Sequence, residues 1–182
     1  MTYHYPLLFY SGLTGGLLLL ALGAIQRLRT FRKPAAAFIF TLLACLWVLA
    51  PREGRWVFSL WSSATARGGQ FIFDVTPALW GCGLLLSLSF AGVAWFEASR
   101  RGRGLALDGV LGVMALIALW ATLLSGSVLT LLAFWSVADV IWCVSSLISG
   151  EEGDRVVFGV AIRGLASLAV WGASLYQLRE GT

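Results

Sequence analysis

Two charged residues stand in strongly apolar surroundings. Asp139 sits in the middle of LLAFWSVADVIWCV and Arg163 in the middle of FGVAIRGLASLAV. At the centre of a bilayer a charged side chain costs at least ~2.5–3.5 kcal/mol, so such residues face other helices, pair, or line an ion path. Each has a purely structural alternative. Arg163 can extend its guanidinium toward the nearer interface, and Asp139 can be a protonated carboxyl hydrogen-bonded between helices. Their spacing favours a pair. The polar turn between the two runs centres on Glu151, twelve residues after Asp139 and twelve before Arg163. At ~1.5 Å rise per residue the two side chains reach a similar depth. Arginine keeps its charge and offers a two-pronged donor to a carboxylate, and each charge offsets much of the cost of the other.

Other chemistries lack their residues. His4 is the only histidine. A Ser/His/Asp triad, a Cys/His metal site and a pair of axial haem ligands therefore cannot be assembled. Cys45, Cys82 and Cys143 fall in three different apolar runs with no CxxC, and read as small apolar filler. There is no P-loop and no GxGxxG after a strand. The nine tryptophans read as interfacial or lipid-facing anchors rather than as a quinone or pigment pocket lined by Trp135 and Trp142. No catalytic residue, cofactor or metal is assigned.

The elements that must position Asp139 and Arg163 follow from composition. Of 182 residues, 59% are hydrophobic and 12% charged, and the mean hydropathy is +0.84. A soluble domain carries about twice that charge. A membrane-crossing helix needs ~20 apolar residues, and the chain has room for six. The fold expected is an all-α, polytopic transmembrane bundle forming a single domain over 1–182. Its helices fall near 6–26, 34–50, 75–96, 107–124, 128–149 and 155–178. The β-prone, aromatic segments RWVFSLW and QFIFD suggest a surface hairpin over 55–74, with Trp56, Trp61, Phe71 and Phe73 at the membrane interface.

The net charge of +4 does not indicate nucleic acid, because the basic residues cluster between apolar runs. Arg27, Arg29, Arg32 and Lys33 follow the first run, and Arg100, Arg101 and Arg103 follow the third. The positive-inside rule then puts both clusters in the cytoplasm and both termini outside. The acidic turn GEEGD falls on the inner side, where acidic residues count little. The first run has its charges after it rather than before it, so it reads as a retained helix and not a cleaved signal. The expected location is the cytoplasmic membrane of a bacterium or archaeon.

Several stretches resemble a known family. SGSVLTLLAFWSVADVIWCVSSLIS resembles the fifth helix of the antiporter-like membrane subunits of respiratory complex I and of Mrp-type cation/proton antiporters. RGLASLAVWGASLYQLREGT resembles their sixth helix, and FIFDVTPALW the loop before their third. The resemblance spans nearly the whole chain and consists of apolar patterns. It implies a small antiporter-like subunit of a larger assembly, structural or assisting proton or cation translocation, with membrane lipids and other membrane subunits as partners. Where the family carries a glutamate of its proton path on the fifth helix, this chain has Ser136, which holds no charge; Asp139 lies three residues on, on roughly the same face. The family's lysine on the next helix, and its second inverted repeat, fall beyond the six helices expected here. Small-residue faces on the first and sixth helices, the first marked by Gly12, Gly15 and Gly16, suit helix–helix contacts. Two other classes remain open: a self-assembling ion channel or transporter, and a scaffold subunit of a respiratory or photosynthetic membrane complex.

Overall fold

The computed structural model describes residues 4–24, 31–58, 71–99, 108–148 and 153–180. Along them run α1 (His4–Ala24), α2 (Arg32–Leu49), β1 (Gly54–Phe58), β2 (Phe71–Val75), α3 (Pro77–Ser99), α4 (Asp108–Leu123), α5 (Val128–Ile148) and α6 (Gly153–Glu180). The protein is mostly helical. Three stretches, Arg32–Leu49, Pro77–Ser99 and Thr130–Ile148, are long and apolar enough to cross a membrane. Leu7–Leu22, Gly109–Leu123 and Val157–Gly172 are shorter apolar helices.

Local chemistry sets the boundaries. α2 ends because Pro51 forces Ala50 into an extended conformation (φ −71°, ψ 145°). α3 begins at Pro77, two residues later than the apolar run suggests, because Val75 closes β2. Thr76 caps it: its hydroxyl accepts the Leu79 N–H at 3.3 Å, and Pro77 gives up an N–H that the first turn leaves unused. α5 begins the same way, with the Ser127 hydroxyl accepting the Thr130 N–H at 3.2 Å.

α4 is the central helix. α1, α2, α3 and α5 all pack on it, α3 lies mainly along α2, and α6 lies along α5. Val113, Leu116, Trp120 and Ala121 of α4 are fully enclosed. Gly12 and Gly15 of α1 face inward: a side chain at Gly12 would run into Ile117 of α4, and one at Gly15 into Ile39 of α2. The small-residue face of α1 is therefore consumed within the chain and not offered to a partner, because only there can α2 and α4 both approach so closely.

Tryptophans join α2, α3 and α4 from within. Trp47 is enclosed against Gly83, where no Cβ would fit, and its ring centroid lies 4.8 Å from that of Trp120. Its indole N–H donates to the Trp80 carbonyl at 2.9 Å, and the Trp80 indole donates to the Ala50 carbonyl at 3.2 Å. Trp95 donates to Thr41 Oγ1 at 2.9 Å. The indoles of Trp47 and Trp80 thus meet backbone acceptors across the α2–α3 contact, so their enclosure leaves no N–H stranded, while Trp95 is exposed.

β1 and β2 form an antiparallel hairpin in which Trp56 faces Phe73 and Arg55 faces Asp74. The other edge of β2 is also occupied. Asp74 N–H donates to the Leu124 carbonyl at 2.8 Å, Gly126 N–H donates to the Ile72 carbonyl at 2.7 Å, and Ile72 N–H donates to Thr130 Oγ1 at 2.9 Å. The α4–α5 turn thus acts as a short third strand. Alternate residues of a strand share a face, and Phe71, Phe73 and Val75 share the inner one. Phe73 is 4% exposed and packs with Phe9, Trp56 and Phe134. Phe73 is therefore a core residue rather than an interface anchor, and Trp56 and Phe71 pack against the same core. Trp61 lies outside the described residues.

The hairpin marks one end of the bundle. Phe9 near the start of α1, the α2–α3 junction at Ala50 and Trp80, and the α4–α5 turn all gather there. The helix ends that flank residues 25–30 and 100–107 lie at the opposite end.

Candidate functional site

The site is assembled from two helix faces. On α5, Asp139 and Trp142 are three residues apart. On α6, Gly159, Arg163 and Ser167 are four apart. Both spacings stack side chains on one side of a helix. Because the α5–α6 connection is short, the two faces meet in antiparallel fashion.

Arg163 Nη1 donates to Asp139 Oδ1 at 3.1 Å. Ser167 Oγ donates to the other carboxylate oxygen, Oδ2, at 3.0 Å. The guanidinium also lies over the Trp142 ring, 4.3 Å from its centroid, a geometry in which the ring's negative face attracts a cation. Gly159 makes room for that ring, since a side chain there would collide with it. The carboxylate side of the pair is the more enclosed: the Asp139 side chain is 19% exposed and that of Arg163 45%.

The structure thus brings together Asp139 and Arg163 and leaves Ser136 apart. The Ser136 hydroxyl donates to the Leu132 carbonyl at 2.9 Å, the back-bond to the preceding turn that serines adopt inside apolar helices. Ser167 and Trp142 are the members that reasoning from charge alone misses. Ser167 had a signal, being the one hydroxyl of the Val157–Gly172 stretch and four residues beyond Arg163.

Arg55 and Asp74 make a second ion pair, Nε to Oδ1 at 3.5 Å, across the hairpin. Both are well exposed, and such cross-strand pairs contribute little beyond register. Cys45, Cys82 and Cys143 are free thiols. Among the described residues no group of three His, Cys, Asp or Glu side chains is placed to hold a metal.

Chemically the α5–α6 site is a neutralised charge pair with a hydroxyl on one side and an indole on the other. It has one titratable carboxyl, no nucleophile and no neighbouring base. Such a site can fasten two helices, or offer one protonatable position beside a fixed cation. No protein-family model, characterised protein or solved structure matches the chain.

Proposed function

We propose that this chain is a small antiporter-like integral membrane subunit of a larger complex I- or Mrp-like assembly, with a structural or assisting role in proton or cation translocation. The observation that carries this reading is the Asp139–Arg163–Ser167 cluster: a charged pair held between the otherwise uncharged stretches Thr130–Ile148 and Val157–Gly172. In this reading all six helices cross the membrane. Helices α1, α4 and α6 contribute the three shorter apolar stretches, and the packing of α1 and α4 into the same core as α2 and α3 supports their crossing with them. The described helix ends nearest the two basic clusters, at Ala24, Arg32, Ser99 and Asp108, lie opposite the hairpin, and the positive-inside rule orients that end to the cytoplasm. The hairpin and both termini then face outward.

The site argues against an independent pump. A relay needs several titratable groups at membrane depth, and Asp139 is the only carboxylate or imidazole in the Thr130–Ile148 and Val157–Gly172 stretches. Partner chains would supply the rest. The test is affinity purification of the full chain from its native membrane in mild detergent. The expected result is a hetero-oligomer containing other ion-translocating membrane subunits. Recovery of a homo-oligomer alone would overturn the subunit reading and favour a self-assembling channel.

A further inference from the structure

The edge helix α6 leaves part of Arg163 open. From Val157 to Gly172 only Gly159 and Ser167 are partly covered, and α5 is the element along which α6 packs. Arg163 reaches inward to Asp139 and Trp142, yet its side chain stays 45% exposed. A guanidinium carries five N–H donors. One is used on Asp139 Oδ1, and among the described residues no acceptor meets the others.

In the six-span reading this exposure cannot be relieved by lipid. Arg163 lies six residues from one end of the apolar stretch Val157–Gly172 and nine from the other, about 9 and 13 Å along the axis. Its head is already pinned on Asp139 and Trp142, so it does not reach toward an interface. Hydrocarbon offers the free donors nothing, and unsatisfied polar groups at that depth are costly. A second copy of this chain fits poorly. A two-fold axis along the membrane normal would set Arg163 against its own equivalent at the same depth, like charge to like charge. The charge on Arg163 is already balanced by Asp139, so a further carboxylate would leave a net negative charge in the interface. What the site lacks is a neutral acceptor.

We propose that the exposed face of α6 around Arg163, beside α5, receives a transmembrane helix of a different chain that presents a neutral acceptor, a Ser, Thr, Asn or Gln side chain, level with the guanidinium. This rests on the membrane-subunit reading above and adds which surface docks and what the partner must carry there. Val160 and Ala166 flank Arg163 three residues to either side and are exposed, so they border it on that face.

The experiment places a photo-crosslinking amino acid at Val160 and, separately, at Ala166 of the full chain in its native membrane. One of the two positions should crosslink to a membrane segment of another protein, with a Ser, Thr, Asn or Gln within one turn of the attachment point. The same crosslink should fall about tenfold or more in D139L/R163L, which removes the guanidinium donors and their carboxylate partner while keeping two apolar side chains at these positions. Unchanged thermal unfolding of the purified D139L/R163L chain shows that the loss is not misfolding. Adducts with lipid only, adducts between copies of this chain, or a crosslink that persists in D139L/R163L would each overturn the proposal. If other subunits co-purify while these positions capture only lipid, the docking surface is wrong and the subunit reading stands. If no other subunit co-purifies, the subunit reading itself fails.

Discussion

The indole N–H of Trp120 donates to the hydroxyl of Ser87 at 3.1 Å, and that hydroxyl donates to the Gly83 carbonyl at 2.6 Å. Both side chains are fully enclosed. α4 and α3 are therefore joined at the bundle centre by a hydroxyl that also satisfies its own helix. In a membrane, where apolar contacts between helices gain little over apolar contacts with lipid, tight packing and such polar links hold helices together.

Ser87→Ala should expose the worth of that link. It strands the Trp120 N–H in an enclosed site and should lower stability by about 1–3 kcal/mol. In a Trp120→Phe background, where the donor is gone, the same change should be close to neutral. Thermal unfolding in detergent, followed by tryptophan fluorescence, measures the coupling. Equal effects in both backgrounds would show that the hydrogen bond contributes nothing.

Gly83→Ala should be among the more damaging single methyl additions. The new Cβ would run into the Trp47 ring, whose position is fixed by its bond to Trp80 and its contact with Trp120. Overpacking of this kind costs about 1–3 kcal/mol. Gly92→Ala, on the same helix, meets nothing within 4 Å and should be neutral or stabilising by up to ~1 kcal/mol. A melting-temperature comparison of the two variants decides the matter, and comparable losses would count against the tight α2–α3 crossing.

The Asp139–Arg163 pair should behave as a unit. Asp139→Leu or Arg163→Leu alone leaves one charge without its partner. The loss should be roughly 1–3 kcal/mol, below the ~3–5 kcal/mol of a fully buried pair because Arg163 is half exposed. The combined D139L/R163L variant should recover most of it. Ser167→Ala should cost about 1 kcal/mol. Folded yield and unfolding midpoint in detergent are the readouts. A double variant no better than the worse single would show that the residues act separately.

Orientation can be checked with single cysteines introduced after Cys45, Cys82 and Cys143 are replaced. A cysteine at position 30 should react with an impermeant maleimide only after the cells are opened, and one at Arg52 should react from outside. The reverse pattern would invert the topology.

Liposomes containing only this chain should show no proton flux above the lipid background under an imposed pH gradient. Asp139 is the one carboxylate or imidazole of the Thr130–Ile148 and Val157–Gly172 stretches, and one position does not make a path. A sustained flux abolished by Asp139→Asn would favour a self-contained transporter.

Helix number and order were legible because apolar runs separated by polar, basic or Gly-containing turns leave little ambiguity, and the hairpin was legible from its β-branched and aromatic residues. The depth match of Asp139 and Arg163 came from counting outward from Glu151. What composition did not carry was rotation about the helix axes. The helix–helix contacts expected for Gly12 and Gly15 are made within the chain, to α4 and α2, and Ser136 shares a helix with the site but not its contacts. Phe73 read as an interface anchor because aromatic residues are common both at membrane interfaces and in cores. Only the pairing of β2 with the α4–α5 turn, a contact between distant parts of the chain, decides between them.

That pairing orders the events of biosynthesis. Ile72 finds its acceptor in Thr130, 58 residues later, and Phe73 finds Phe134 later still. During synthesis the hairpin residues therefore emerge with one strand edge lacking its partners and the aromatic face uncovered. They stay so until α4 and the start of α5 have followed. During that interval the unpaired edge and the aromatic face are open to wrong partners.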